Sequence, residues 1–506
     1  MRNYILKARI QWIGLIAGPL LSILLYSQLP SSYVNSDGTV IVFSTGGRVT
    51  TALAVWMAVW WMTEAVELYV TALLPLVVLP MAGAAPIRAV AAPYAHELIF
   101  LFMGGFLIAL AMQRWGLHRR LALKAMTVAG DQPIAIVACS MGVTAFLSMW
   151  VSNTATTLMM LPIALSLISV VDRQRPGATS SVANTGESSN FALCLLLGIA
   201  YSASIGGIGT IIGTPPNVFL ASFIQSNLGQ EISFVRWMFI GVPLVIIFVP
   251  LTCLMLTKVV YPILPQPIEG SGAVTKTAYQ KMGHMSRGEG FVLVVFLLTA
   301  VAWVGRPMMV QLHIGDFQPA AGLTDPVIAM LGALILFVIP VDVKNRVFVM
   351  NWETAVKIPW GVLLLFGGGL SLARAIQVNG VAEFIGNQLD ILAGVPTVLL
   401  VIVVIVLVIF LTELTSNTAT TATLIPILAA LSTVFELHAF MLIVPAAIAA
   451  SCAFMLPVAT PPNAIVFGSG RVTIHQMIRI GLWLNLIGIA LITALVYTMM
   501  IWILEL

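Results

Sequence analysis

The 506-residue chain reads as an all-α polytopic membrane protein of two inverted repeats, with about 11 transmembrane helices, two re-entrant hairpins and discontinuous helices. Three observations predict this. Hydrophobic residues make up 60% of the sequence and charged residues only 8%, against about 25% charged in a soluble domain. A six-residue motif recurs unchanged, as Ser152-Asn153-Thr154-Ala155-Thr156-Thr157 and Ser416-Asn417-Thr418-Ala419-Thr420-Thr421. The Lys and Arg residues fall overwhelmingly on one side of the membrane once the apolar runs are laid out as spans. Mean hydropathy is +1.04. A water-soluble, disordered or nucleic-acid-binding chain is excluded. The net charge of +4 comes from 23 Lys+Arg against 19 Asp+Glu and makes no basic patch by itself.

The first run follows Arg2, Lys7 and Arg9 and stays apolar to about Leu29 without a small-residue cleavage site. It reads as a first transmembrane helix with a cytoplasmic N-terminus rather than a signal peptide. A span needs ~20 apolar residues. Helices are expected near 11–29, 49–62, 66–82, 98–113, 133–151, 155–171, 191–225, 237–257, 290–305, 326–341, 358–378, 394–414, 418–435, 439–468 and 480–503. That is too many for each to be a simple span. Two runs, 191–225 and 439–468, are also too long for one ordinary helix. Each holds the same polar break, Gly213-Thr214-Pro215-Pro216-Asn217 and Ala459-Thr460-Pro461-Pro462-Asn463. A Pro-Pro pair is expected to unwind the helix there. Unwound backbone at membrane depth needs protein or a water-filled cavity around it.

The hexapeptide offset of 264 (152 to 416) also aligns Leu101-Phe102-Met103-Gly104-Gly105 with Leu365-Phe366-Gly367-Gly368-Gly369, Gln113 with Gln377, and Gly116 with Gly380. The Pro-Pro-Asn breaks pair at an offset of 246 (215 to 461). The 18-residue difference lies most simply in the polar stretch 172–190. The expected organisation is a leading helix and outer loop in 1–48, then a first repeat in 49–257 with hairpin 133–171 and broken helix 191–225. A cytoplasmic linker, 258–289, follows. The second repeat, 290–506, holds hairpin 394–435 and broken helix 439–468. The polar segment Gly270–Arg287 reads as a loop within that linker.

If each hairpin returns to its own side, 18 Lys and Arg lie inside and four, Arg48, Arg88, Arg236 and Arg306, lie outside. This places the N-terminus in the cytoplasm and the C-terminus outside. The hairpins then enter from opposite faces, so the repeats are inverted. The Ser152-Asn153-Thr154 turn within the first hairpin is flanked by Met149-Trp150-Val151 and, after Ala155-Thr156-Thr157, by Leu158-Met159-Met160, too apolar for a surface loop, which favours re-entry.

Inverted repeats with broken helices place substrate and coupling ions at the repeat interface. Two Ser-Asn-Thr tips and two Thr-Pro-Pro-Asn breaks would converge there. Helices that begin after a break aim N–H groups and the positive end of the dipole at the centre, which suits an anion. Freed carbonyls and hydroxyl and amide oxygens suit a hard cation such as Na+. No Lys, Arg or His lies between Asp131 and Asp172 or from Ile391 through Phe435. A buried dianion would be poorly compensated there, so co-bound Na+ supplies the missing charge and symport is favoured over exchange.

Together with Trp60-Trp61-Met62-Thr63-Glu64-Ala65, the paired motifs resemble the divalent anion/sodium symporter (DASS) family over roughly residues 50 to 490. The resemblance implies secondary active transport by homodimers that carry a transport domain across the bilayer. It implies that Ser152, Asn153, Thr154, Ser416, Asn417 and Thr418 contact the anion, with Thr214, Pro215, Thr460 and Pro461 completing the pocket. It implies one sodium site at Ser148, Asn153 and Gly213, and its mirror image at Thr412, Thr415, Asn417 and Ala459. Ser148 and Thr412 are independently related by the 264 offset. Two symmetric tips suit an anion with a carboxylate at each end, hence a C4-dicarboxylate such as succinate, malate or fumarate. Sulfate, citrate and sodium-independent exchange stay open as alternatives.

The remaining expectations concern single residues and location. Co-transported Na+ is expected without an organic cofactor, in a bacterial inner membrane and with no nucleic-acid partner. Glu413 lies three residues before Ser416, where the first repeat has Met149. It is expected to tune the second cation site, to pair with the intramembrane Arg374, or to serve structure alone. Glu64 and Glu67 read as interfacial. The four Cys form no CxxC pair and the six His no ligand spacing, which argues against a disulfide framework or metal site. No nucleophile–base pair or pair of acids lies near the tips, which argues against an intramembrane enzyme. Tips meeting head-on suit alternating access better than an open channel.

Overall fold

A backbone in hydrocarbon must satisfy its N–H and C=O groups within its own segment, so long apolar runs become helices. The computed structural model describes residues 2–34, 38–174, 189–313, 318–388, 395–435 and 437–500. Most of the polar stretch 172–190, the expected start of the second hairpin at 394 and the last six residues of the second repeat lie outside these. Eight helices among the described residues are long and apolar enough to cross a bilayer, and shorter apolar helices accompany them.

The chain begins with α1 (Arg2–Gln28), which packs on α2 (Thr45–Thr63). The first repeat continues with α3 (Glu97–Trp115), α4 (Leu117–Met126), α5 (Pro133–Ser148), α6 (Asn153–Gln174), α7 (Asn190–Gly207), α8 (Pro215–Phe223) and α9 (Phe234–Leu254). A short helix, α10 (Ser271–Lys281), lies in the linker. Then come α11 (Arg287–Val310), α12 (Asp325–Val338), α13 (Trp360–Val378), α14 (Val381–Gln388), α15 (Thr397–Thr412), α16 (Asn417–Val434), α17 (Phe440–Ala450), α18 (Pro461–Phe467) and α19 (Ile474–Leu495). Two small antiparallel ribbons, Ser32–Val34 with Val40–Val42 and Pro340–Asp342 with Val347–Phe348, complete the described secondary structure outside the helices and turns.

The 264 offset carries α5 onto α15 at both ends, 133 to 397 and 148 to 412. It also pairs α4 with α14. Both follow a glycine in left-handed backbone, Gly116 at φ 74° and Gly380 at φ 69°. That conformation ends the preceding helix with little strain only for glycine. At 1.5 Å per residue the 16-residue α5 and α15 each reach about 24 Å, less than a ~30 Å hydrocarbon core.

The structure corrects three details. The unwound segments are 208–214 and 451–460, and they precede the prolines. Pro215 and Pro461 instead open α8 and α18, because proline at the first helical position lacks only an N–H that has no partner there anyway. The polar linker is not all loop but contains α10. Between the runs 98–113 and 133–151, where the sequence predicts no helix, the chain forms the amphipathic α4.

The centre is α7, almost wholly buried, from Phe191 through Gly207. Gly206 lets it approach α5 so closely that a Cβ there would lie 2.3 Å from the Ala145 carbonyl oxygen. The glycine pairs act likewise. A Cβ at Gly104 would meet Ala329 of α12 at 2.7 Å, and one at Gly368 would meet the Ala72 carbonyl at 2.1 Å.

Candidate ion and substrate site

The two hairpin tips and the two breaks are brought together by exchange between repeats. Helix α8, after the first break, packs on α16 of the second hairpin. Helix α18, after the second break, packs on α6 of the first and on α7. Each Thr-Pro-Pro-Asn segment thus faces the opposite repeat.

At the first tip, Ser148 is fully buried. It donates from Oγ to Asn153 Oδ1 at 2.5 Å and lies 2.7 Å from the Ala203 carbonyl of α7. A Cβ at Gly207 would sit 2.8 Å from Asn153 Oδ1 and 3.1 Å from the Gly213 carbonyl, so these oxygens crowd around one small gap. The second tip repeats the plan. Thr412, also fully buried, donates to Asn417 Oδ1 at 2.8 Å and reaches the Ala450 carbonyl at 3.0 Å. In both tips the asparagine oxygen is held toward the hydroxyl and the carbonyls. The amide nitrogen of neither Asn153 nor Asn417 donates within the described residues.

The flanking hydroxyls differ. Ser152 Oγ accepts from the Ala155 amide at 3.3 Å, while Thr154, Ser416 and Thr418 have no side-chain hydrogen bond among the described residues. All six tip residues of the two Ser-Asn-Thr motifs are half-buried. The Thr415 hydroxyl is turned away from Asn417, to Thr420 at 2.7 Å and the Leu411 carbonyl at 2.9 Å. Thr214, Thr460 and Ala459 are buried, Pro215 is half-buried and Pro461 is exposed.

Two residues of the repeated motifs do more than the sequence revealed. Asn217 is fully buried and its Nδ2 donates to the carbonyls of Gly207, Ile208 and Thr210, at 3.2, 3.3 and 2.8 Å. Asn463 donates to Ala453 and Leu456 at 3.1 and 3.0 Å. Each asparagine staples the unwound segment before its helix, satisfying carbonyls that would otherwise be orphaned in an apolar interior. Both Oδ1 atoms stay unpartnered, as do the buried hydroxyls of Ser202, Ser204 and Ser451. The recurrence of Pro-Pro-Asn was the available signal for the two asparagines.

Glu413 is not paired with Arg374. Its carboxylate is 3% exposed and holds the second unwound segment. Oε1 accepts from the amides of Phe454 and Met455 at 2.7 and 2.9 Å and from Asn485 Nδ2 of α19 at 2.9 Å. Oε2 accepts from Met455 and Leu456 at 3.0 and 3.1 Å. The first break lacks this carboxylate. There Thr210 donates from its hydroxyl to the Met149 carbonyl at 2.5 Å, and Trp237 donates to the Ile208 carbonyl at 2.9 Å.

The apolar flank of the first tip packs on neighbouring helices. Trp150 stacks on Phe234 and Trp303, at centroid distances of 6.0 and 6.5 Å, and meets Phe296 edge-on at 5.1 Å. Among the described residues no cluster of His, Cys, Asp and Glu could hold a metal ion through side chains. The oxygens gathered at the tips are hydroxyls, amides and carbonyls, a neutral set that suits a weakly held monovalent cation.

Comparison with known proteins places this arrangement. The model for the sodium:sulfate symporter transmembrane region matches residues 42–505. A sodium-dependent dicarboxylate transporter, SdcS, of Staphylococcus saprophyticus is 40% identical over 488 residues, covering 96% of this chain and 91% of the relative. SdcS of Staphylococcus aureus is 40% identical over 493 residues, covering 97% and 91%. At the level of fold alone, the chain is similar to the YdaH transporter of Alcanivorax borkumensis, with a TM-score of 0.58, 12% identity and 96% and 97% coverage. It is similarly close to MtrF of Neisseria gonorrhoeae, with a TM-score of 0.58, 12% identity and 99% and 95% coverage. Helices, repeated motifs and full-length similarity agree: the chain belongs to the sodium:sulfate symporter family, the divalent anion/sodium symporters, and is a multi-pass membrane transporter.

Proposed function

We propose that the chain couples Na+ entry to the uptake of a C4-dicarboxylate, such as succinate, malate or fumarate, by alternating access. The observation that carries this is the matched pair Ser148–Asn153 and Thr412–Asn417. In each, the amide oxygen is drawn to a hydroxyl that also lies against a carbonyl of α7 or α17, while the amide nitrogen is left to donate elsewhere. One Na+ sits among Ser148, Asn153 and the Gly213 carbonyl. A second sits among Thr412, Asn417, the Ala459 carbonyl and the backbone of Thr415. The same asparagines then turn their nitrogens to the anion, with Ser152, Thr154, Ser416 and Thr418 donating beside them and Thr214, Pro215, Thr460 and Pro461 closing the pocket.

Coupling follows from this geometry. Without Na+, the tip oxygens face one another and a dianion would enter a site that holds no Lys, Arg or His. Bound Na+ orders each asparagine and supplies the charge the anion requires. The dicarboxylate assignment is supported by the names of the 40% identical relatives and by the two symmetric tips. The protein works as a homodimer in a bacterial inner membrane; the apolar flanks of the first tip support re-entrant hairpins, and the cation distribution supports a cytoplasmic N-terminus.

The test is uptake of radiolabelled succinate into proteoliposomes, with and without an inward Na+ gradient. The expected result is Na+-dependent uptake, competed by malate and fumarate and abolished in Asn153→Ala. Uptake that ignores Na+ but needs internal dicarboxylate would make the protein an exchanger. Absence of succinate movement would end the dicarboxylate reading and bring sulfate and citrate forward.

A further inference from the structure

The two copies of Ser-Asn-Thr-Ala-Thr-Thr do not share an environment. Ala419 is 2% exposed, and the amphipathic α14 packs directly on α16. The symmetry-related Ala155 is half-buried, and α4 stands off from α6 with a cavity of about 560 Å³ between them. Its walls include Arg119 of α4, Gln113 of α3, Ala155 and Leu158 of α6, and Thr275 of α10. The cavity runs along α6 from Ser166, toward the C-terminal end of that helix, inward to Ala155, the residue after Thr154. A neighbouring cavity of about 480 Å³ shares Arg119 and adds Lys281 and His284.

The charge of this entrance is one-sided. Arg120 is cancelled, since its guanidinium is buried against Glu289, at 2.7 Å, and donates to the Gly283 carbonyl at 2.8 Å. That clamp and Asp131, which accepts from the Ser271 hydroxyl at 2.9 Å and the Gly272 amide at 2.7 Å, fix α10 at both ends as one wall. The Gly272 amide and the Ser271 hydroxyl hold the Asp131 carboxyl below the usual carboxylate range, so it stays ionised in that role. Burial pushes the His118 imidazole below its usual value. Arg119 is exposed on the cavity wall and has no acidic partner among the described residues.

We propose that this cavity is the inner vestibule of the transporter, open in this structure to the N-terminal face, and that Arg119 selects divalent anions at its mouth. This rests on the proposed function and deepens it. The hairpin tips carry no fixed cation, so a dianion binds there only with Na+ and is not trapped. A cation at the mouth can raise the local anion concentration without adding to the depth of the site. One cation ~8 Å from a dianion in water enriches it about fivefold, an effect that ~1 M salt removes.

The test reads the potential in the vestibule without relying on transport. Leu158, on the cavity wall and 54% exposed, is replaced in Leu158→Cys. The thiol is modified by anionic sulfonatoethyl and cationic trimethylammonioethyl methanethiosulfonate in inside-out vesicles at about 10 mM ionic strength, where the Debye length is ~30 Å. The native chain, whose four free cysteines are buried or half-buried, sets the background. The expected result is an anionic-to-cationic rate ratio that falls about fivefold in Leu158→Cys/Arg119→Gln, is restored by Arg119→Lys and collapses at ~1 M salt. A ratio unmoved by Arg119→Gln, or no modification from the N-terminal face, overturns the proposal. If the ratio shifts as expected while the native chain fails to carry succinate, the vestibule stands and the dicarboxylate reading falls. If succinate is carried and the ratio does not shift, the reverse holds.

Discussion

Ser148 and Thr412 are small side chains whose position fixes how an asparagine presents its two ends. Each donates one hydrogen bond to an asparagine oxygen, at 2.5 and 2.8 Å. A net hydrogen bond contributes about 1 kcal/mol, so Ser148→Ala and Thr412→Val are each expected to lower apparent Na+ affinity about fivefold. Na+ activation curves of succinate uptake at fixed succinate would show this, and an unchanged half-saturation would remove the hydroxyl from its assigned sodium site. Glu413 makes a different demand. Its two oxygens accept from three successive backbone amides and from Asn485. A glutamine keeps the shape but has only one accepting oxygen, so its NH2 would confront the amides of Met455 and Leu456. Glu413→Gln is therefore expected to cost about 2–3 kcal/mol, seen as a lower melting temperature in detergent both with and without Na+. A variant that melts like the native protein but loses Na+ dependence would make Glu413 part of the cation site instead of its scaffold.

Helices meet closely here wherever a glycine removes the side chain between them, and the two glycines of the α5–α7 pair give opposite expectations. Gly206 on α7 abuts the α5 backbone, so Gly206→Ala forces a shift or a clash with the Ala145 carbonyl, costing about 1–3 kcal/mol. Gly142 on α5 has nothing within 4 Å of its would-be Cβ. Alanine there removes the helix-interior penalty of glycine and is expected to be neutral or to stabilise by up to about 1 kcal/mol. Thermal unfolding of the two variants side by side checks the pair. The same elements show what a sequence can convey. The 264 offset located both arms, α5 and α15, because a duplicated helix keeps its register when the motif at its end is preserved. The amphipathic α4 is not separable in the sequence from the polar stretch beside it, nor is α14, since residues such as Arg119, Arg120 and Lys124 look the same in a loop and on an interfacial helix. The unwinding was placed at the prolines because proline ends a preceding helix, yet it can also begin the next. Asn217 and Asn463 stood in the repeated motif all along, but a side chain that staples backbone leaves no spacing to read. Glu413 was visible as an intramembrane acid, whereas its partners, 41 to 72 residues away, exist only once α17, α18 and α19 are folded around it.

Two halves with the same motifs adopt different packing, and that asymmetry is what a transporter of inverted repeats requires. If both hairpins had identical surroundings, the central site would be closed to both faces or open to both. Here α14 lies on α16 while a cavity parts α4 from α6, which in the proposed transporter seals one side and opens the other. The end state of opposite access needs no new fold. It needs the α4–α6 gap to close as the α14–α16 contact opens, with the linker held to both repeats by Arg120 and Glu289. That buried pair joins α4 to the first turn of α11, and removing one member leaves the other charge without compensation. Glu289→Gln is expected to cost about 3–5 kcal/mol, measurable as a lower melting temperature of the detergent-solubilised protein. The gap itself supplies the sharper prediction. His118 of α4 and Met159 of α6 both line the open cavity. A chain carrying His118→Cys and Met159→Cys has its two thiols on opposite walls, which approach only when the cavity collapses. Oxidative cross-linking should therefore be slow in the resting protein and accelerate several-fold when Na+ and succinate are added together. The cross-linked protein should be inactive and regain uptake on reduction. Cross-linking at the same rate with and without substrates would mean that the cavity is a fixed feature of the surface and that access to the tips is controlled elsewhere.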